Sequence, residues 1–232
     1  MQPEIPPATY YSFLILTVSV AVVFIREVKN LFPRQRSFAI GLSAWFFLQY
    51  FAGTMGFFAQ GLGGLPPKIM IVVLPNFILI FYLWFSTKGG EIAQQFDLVF
   101  LTLFQSFRIF VELILWQLAG KELLPSVMSF EGRNFDVLIG VTAPVVAYLF
   151  SKGKISNLGL IIWNIGGIVL VTNVVLHGML SLPGIELIRT NVPNFIISYA
   201  PFNLLPGVLV PIAYILHVFA LRKLLKLKKS IQ

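Results

Sequence analysis

Long apolar segments recur along this chain and are separated by shorter polar ones. A helix rises about 1.5 Å per residue, so about 20 apolar residues cross the hydrocarbon layer of a bilayer. Charged residues make up only 11% of the chain and hydrophobic residues 57%, whereas soluble domains carry about 25% charged residues. We therefore predict an all-α, polytopic transmembrane bundle of about seven helices, folded as a single domain over 1–232. The predicted spans are residues 9–25, 37–58, 69–85, 97–118, 135–150, 158–180 and 204–221.

Basic residues lie mostly on one side of the predicted bundle. The positive-inside rule then places the C-terminus in the cytoplasm and the N-terminus outside, as an odd number of spans requires. Residues 222–232 are interpreted as a basic cytoplasmic tail that attracts anionic lipid. The net charge of +8 is thereby assigned to the membrane surface, and nucleic acid is not expected as a partner. We expect the protein in the cell membrane, inner or plasma, with the lipid bilayer as its surroundings.

Two charged residues, Arg108 and Glu112, interrupt the fourth apolar segment one helical turn apart. A lone arginine at the centre of a bilayer costs about 2.5–3.5 kcal/mol, and intramembrane ionisable residues often mark a solute pathway or a ligand site. A carboxylate at position i+4 can offset that cost, so the two residues are predicted to pair. The alternative is that a buried ion pair only fixes the register of the helix.

Other polar residues are predicted to share the depth of this pair. Gln105 lies on the same helical face as Arg108 and Glu112, at positions i, i+3 and i+7. If these residues surround one solute, they form a polar layer within the bundle. If they do not, they stabilise helix contacts by about 0.6 kcal/mol each. The predicted ligand-binding residues are Arg108, Glu112, Gln105, Asn76, Gln49 and Asn173.

Two connections on the predicted outer side are long for such a chain, residues 119–134 and 181–203. Both mix apolar and polar residues, so we expect them to lie along the outer surface as short helices or lids. Beside the first connection lies a polar cluster that suits an enzyme acting on lipid head groups. This predicted outer-surface cluster comprises Glu131, Arg133, Asn134 and Asp136.

The sequence argues against several cofactors. It contains no cysteine, which excludes an iron–sulfur cluster and a zinc–thiolate site. The last predicted span has no lysine for a retinal Schiff base. His177 and His217 are expected at different depths, so neither a shared metal nor haem is predicted. His217 and Asn164 come to similar depth and can form a hydrogen bond between two spans.

These features favour a small transporter or channel-like binder of a polar or anionic solute. Arg108 would neutralise the solute, and Glu112 would compete for Arg108 when the site is empty. A first alternative is a ligand-sensing or scaffold protein with an outward-facing pocket under the two long connections, which signals through the basic tail. A second alternative is a lipid-modifying membrane enzyme that uses the outer cluster, although no enzymatic motif is found.

Overall fold

The computed structural model describes residues 3–32 and 36–229, which form helices and loops without a β-strand. Within these ranges there are nine α-helices, joined by short 3-10 turns and, near the C-terminus, by a π-helical turn over Leu205–Leu209. The helices are α1 (Pro7–Leu31), α2 (Arg36–Thr54), α3 (Met70–Phe85), α4 (Thr87–Gln95), α5 (Leu98–Phe104), α6 (Phe107–Ala119), α7 (Val137–Ser151), α8 (Asn157–Leu180) and α9 (Val210–Lys229).

Each predicted span falls on one of these helices, or on two in the case of α5 and α6. Fewer than seven stretches, however, are long and apolar enough to cross a membrane. Among the described residues four stretches qualify: α1, α5 with α6, α8, and the π-helical turn with α9. A fifth is added if α3 and α4, which are bent by 83°, count as one span. The α7 helix has 15 residues and is therefore only about 22 Å long. In α2, polar and glycine residues lower the mean hydropathy. The structure thus supports four or five spans where the sequence predicts seven.

The α9 helix lies at the centre of the bundle. In an apolar stretch of 18 residues within Leu205–Leu227, 78% of the residues are buried, whereas in the corresponding stretch of α8 only 28% are buried. Helices α3, α4, α5 and α8 pack on α9 itself, while α1 and α2 contact the π-helical turn that precedes it. A helix covered on all sides is expected to be apolar all round, so each polar side chain on α9 requires a partner within the bundle.

The outward faces of the surrounding helices are apolar. Phe47 of α2, Ile78 of α3 and Val145 of α7 are among many large hydrophobic residues whose side chains are more than half exposed. Soluble monomers rarely expose apolar surface on this scale. Together with the length of the helices, this surface is compatible with an integral membrane protein.

The second long connection does not lie along the surface over its whole length. Its last part, from Asn194 to Phe202 and Asn203, is buried, and these three residues are at most 1% exposed. It packs among the helices before the chain enters the π-helical turn. Irregular backbone is tolerated in the interior of a helical bundle where protein covers it and satisfies its polar groups. The prediction of a surface lid over 181–203 is therefore wrong for this part.

The basic C-terminal region also differs from the prediction. The α9 helix continues to Lys229, so residues 222–229 are an extension of the central helix rather than a separate tail. Residues 230–232 lie outside the described part of the chain. Anionic lipid remains a predicted partner of this region.

Two basic side chains of this extension contact α3 and α4. The Arg222 Nη1 group donates to the carbonyl oxygens of Leu83 and Ser86, both at 2.7 Å. Lys223 Nζ donates to the carbonyl oxygen of Phe96, just after α4, at 2.6 Å. The last carbonyls of a helix lack intrahelical partners and carry partial negative charge. Arg222 and Lys223 therefore cap the C-terminal ends of α3 and α4.

We expect Arg222→Met to loosen this bend. The substitution keeps the aliphatic stem but leaves the Leu83 and Ser86 carbonyls without a charged donor, which costs about 1–2 kcal/mol locally. Hydrogen exchange should show faster exchange of the α4 amides, while the amides of α8 stay unchanged. Lys226→Met, on the exposed side of the same helix, is the matched control. Equal exchange in both variants would contradict the capping role.

Candidate functional site

A buried arginine forms the centre of the polar interior. Arg108, at the start of α6, is 2% exposed. Its Nε donates to Asp136 Oδ2 at 2.6 Å, and its Nη2 donates to Asp136 Oδ1. This two-point contact is the fork geometry that makes arginine–carboxylate pairs strong and directional. The Nη1 atom lies 3.0 Å from His217 Nε2, so Arg108 links the start of α7 to the central helix.

The partners of His217 define its tautomer. Arginine has only donors, so His217 Nε2 must accept from Arg108. The other ring nitrogen, Nδ1, lies 2.8 Å from Asn164 Oδ1 and therefore donates its hydrogen to that oxygen. The Asn164 amide is oriented by its own bond from Nδ2 to the Leu160 carbonyl, at 2.8 Å. The predicted hydrogen bond between His217 and Asn164 is confirmed, whereas the contact of His217 with Arg108 was not foreseen.

The predicted ion pair between Arg108 and Glu112 is not formed. Glu112 Oε2 instead accepts a hydrogen bond of 2.6 Å from Asn134 Nδ2. The other side of that amide, Oδ1, accepts from the backbone N–H of Asp136 at 3.0 Å. Although Glu112 lies one turn from Arg108, Asp136 approaches from another element and takes both arms of the guanidinium fork. Asn134 therefore links the Glu112 carboxylate to the backbone of Asp136.

Two glycines allow the partners of Arg108 to come close. A Cβ on Gly140 of α7 would lie 2.8 Å from the backbone nitrogen of Ile109, so only glycine lets α7 approach α6 beside Arg108. A Cβ on Gly167 of α8 would overlap the ring of His217. Both contacts are between helices, and neither glycine shows its role in the sequence pattern alone. These backbones position Asp136 and His217 against the guanidinium.

The remaining predicted amides bind backbone carbonyls around α9 instead of Arg108. Gln105 Nε2 donates to the Ala213 carbonyl at 3.1 Å. Asn76 and Gln49 both donate to the Gly207 carbonyl, at 3.1 and 3.4 Å. The π-helical turn interrupts the regular pattern of helical bonds, and such breaks are tolerated when neighbouring side chains satisfy the freed groups. Asn76 and Gln49 thus stabilise the turn that precedes the central helix, and Gln105 binds the central helix itself.

The predicted outer-surface cluster is divided by the structure. Glu131 and Arg133 are exposed, whereas Asn134 is 1% and Asp136 6% exposed. The chain turns inward between Arg133 and Asn134, just before α7 begins, and carries the last two residues into the Arg108 network. Asn173, predicted near Glu112, is half-buried and donates to the backbone carbonyl of Arg133 at 2.6 Å. No single surface site unites the four predicted residues.

A small cavity adjoins the charged groups. Its volume is about 20 Å³, and Arg108, Glu112 and Asp136 line it together with apolar residues of α6, α8 and α9. A cavity needs about 10–15 Å³ to hold one water molecule, so this one has room for about one. Among the residues that the structure describes, no group of three or more His, Cys, Asp or Glu side chains is arranged to hold a metal ion.

Fold and site together define a helical protein, compatible with an integral membrane protein, that encloses a buried Arg–Asp–His cluster. The chain belongs to the family described as "Domain of unknown function (DUF8737)", whose sequence profile matches residues 66–225. The match includes every residue of the network around Arg108, but it does not reach Gln49. Comparisons with curated proteins and with solved structures find no match.

Proposed function

We propose that this protein crosses the cell membrane seven times, with its N-terminus outside, and transports a small anionic solute together with a proton. In this topology the short helices α3 and α7 span the bilayer with local thinning, which costs only fractions of a kcal/mol per Å. The basic ends of α1 and α9 then lie on the cytoplasmic side, as the positive-inside rule requires.

The observation that carries this proposal is the continuous network around Arg108. It links Asp136 and His217 through Arg108, and Asn134 links the Glu112 carboxylate to the backbone N–H of Asp136. Chains of Asp, Glu and His within membrane helices mark proton relays in pumps and transporters. The arginine supplies the fork that recognises carboxylate and phosphate groups.

Charge balance couples the anion to the proton. In the observed arrangement Asp136 occupies the guanidinium fork and so stands in for an anion. An incoming anion displaces Asp136, which is then left in the interior without a cation. An unpaired buried ion costs several kcal/mol, so a proton must bind to Asp136 when the anion arrives. Anion and proton therefore move together.

The small size of the cavity requires movement before a solute can bind. A space of about 20 Å³ admits one water molecule but no larger anion. Asp136 lies directly before α7, at the end of the first long connection, so a shift of that connection can withdraw the carboxylate and open the fork. The proposed transport cycle therefore includes a movement of this connection.

Transport can be measured in liposomes that contain the protein and a trapped pH-sensitive dye. We expect at least one of three probes, succinate, inorganic phosphate or sulfate, to acidify the lumen when added outside. Arg108→Met combined with Asp136→Leu removes the fork and its carboxylate together, so the fold should survive while acidification falls to the level of protein-free liposomes. Arg133→Met, which changes an exposed arginine, should acidify the lumen like the unmodified protein.

Two results would contradict this proposal. The first is acidification of equal size in the double variant, because the buried pair would then be purely structural. The second is uptake of radiolabelled anion without any movement of protons, because the charge-balance argument requires both. The folded state of each variant is checked beforehand by gel filtration and thermal unfolding.

A second candidate function has one observation in its favour. An apolar cavity of about 50 Å³ lies under both long connections, lined by Met128 from the first and by Asn194 and Ile197 from the second. This position matches the outward-facing pocket of a ligand-sensing protein. Absence of flux with all three anions, together with a change in hydrogen exchange when an apolar ligand binds, would favour this function over transport.

A further inference from the structure

The apolar cavity under the long connections adjoins the small cavity beside Arg108, and Val174, Leu205 and Val210 line both. It lies between α3 and α8, with the buried connection and the π-helical turn as its floor. Val73 and Val174 belong to its wall, and Met70, Met128 and Met179 contribute flexible side chains. Unbranched methionine side chains adapt to irregular ligands. The wall is almost entirely apolar.

One polar side chain lines this cavity without a complete set of partners. Asn194 is 0% exposed, and its Nδ2 donates to the Gly178 carbonyl at 3.0 Å. That bond fixes which end of the amide is the oxygen. Among the described residues no donor reaches Asn194 Oδ1, which is buried. A buried acceptor left without a hydrogen bond costs about 1–3 kcal/mol, so a ligand that supplies a donor is strongly favoured.

Water is a poor candidate for this donor. A buried water molecule needs two to four polar partners, and empty cavities with apolar walls stay dry and take up apolar molecules. Here a water molecule would find Asn194 Oδ1 but otherwise apolar side chains. The chemistry of the cavity calls instead for an apolar chain that carries one hydrogen-bond donor.

The mouth of the cavity shows where such a chain enters. Its half-buried lining residues include Met70 and Phe77 on α3 and Val175 and Met179 on α8. On both helices these residues border the outward-facing apolar surface, for example Leu176 of α8, which is 50% exposed. In the proposed membrane topology the cavity therefore opens sideways towards the lipid tails.

We infer that this cavity binds a single-chain lipid with a hydroxyl group. The hydroxyl donates to Asn194 Oδ1 beside the C-terminal end of α8, and the chain runs between α3 and α8 towards Phe77. A volume of about 50 Å³ accommodates part of the chain, and the rest lies in the bilayer. The inference does not depend on anion transport, because it rests on different residues and a different kind of ligand.

Photo-crosslinking tests this inference on the full chain in liposomes. The probe is dodecanol that carries a diazirine on its chain, and labelled peptides are mapped by mass spectrometry. We expect labels on α3 and α8 around Val73 and Val175. Unlabelled dodecanol should compete about fivefold better than methyl dodecyl ether, which has the same chain but lacks the donor. The comparison tests the bond to Asn194 without any substitution that disturbs its contact with Gly178.

A variant that fills the cavity tests whether the probe binds there. Val73→Phe places a larger side chain in the cavity and should abolish labelling of α3 and α8, whereas Ile71→Phe, on the outward face of the same helix, should leave it unchanged. Both variants are first checked by thermal unfolding. Equal competition by alcohol and ether, or unchanged labelling in a folded Val73→Phe variant, would overturn the inference.

Discussion

Arg108→Met is expected to destabilise the protein by about 3–5 kcal/mol, because it breaks a buried ion pair from one side. Methionine fills a similar volume, so the effect comes from charge rather than from a cavity. Without the guanidinium, Asp136 loses both of its charged donors, and Glu112 and Asp136 remain in a dry interior with no cation among their contacts. Thermal and denaturant unfolding of the purified protein measure the loss.

A double variant that removes both charges of the pair tests whether the loss of stability comes from the unpaired charge. Replacing a buried ion pair by apolar residues of similar volume is often neutral, so Arg108→Met combined with Asp136→Leu should recover most of the lost free energy of unfolding. Arg133→Met, at an exposed arginine of the preceding connection, should remain within about 0.5 kcal/mol of the unmodified protein. A single Arg108→Met variant that unfolds like the Arg133→Met control would show that the buried pair carries no such free energy.

Gly167→Ala is expected to cost about 3 kcal/mol, which is large for the addition of one methyl group. The new Cβ overlaps the His217 imidazole, so the ring must leave its place between Arg108 and Asn164. Two buried hydrogen bonds are lost with that movement. The chain contains 2 histidines, so nitrogen NMR of labelled histidine should show one changed ring and one unchanged ring.

Gly166 provides the matched control for this prediction. It precedes Gly167 in the same helix, and a Cβ there meets nothing within 4 Å. Gly166→Ala should keep both histidine signals and hold or raise stability by up to about 1 kcal/mol, since alanine favours the helix. Identical histidine spectra for the two alanine variants would show that the Gly167 position does not support the ring.

Hydrophobic periodicity and length located the helices well. The span predicted over 158–180 corresponds to α8, Asn157–Leu180, and that over 69–85 to α3, Met70–Phe85. Such agreement follows from the cost of burying unpaired backbone groups, which forces long apolar segments into helices. The bend between α3 and α4 is not predicted, because Arg222, which stabilises it, lies at the far end of the chain.

The choice of Glu112 as the partner of Arg108 illustrates what local rules leave out. The i+4 rule compares residues within one helix, and Glu112 does lie on the buried face of α6. Asp136 was assigned to the surface because it follows a polar stretch. Its burial depends on the inward turn before α7 and on the close approach at Gly140, which are contacts between elements.

Sequence alone determined that the chain is an all-α protein with long apolar helices and that the charges within its apolar segments must find partners. Both follow from the cost of placing polar groups in an apolar medium. Only the tertiary structure decided which partners they find. Asp136, Asn134 and His217 reach Arg108 and Glu112 from other parts of the chain, and two glycines without side chains permit that approach. Contacts of this kind depend on the distance between helix backbones, which no spacing along one segment encodes.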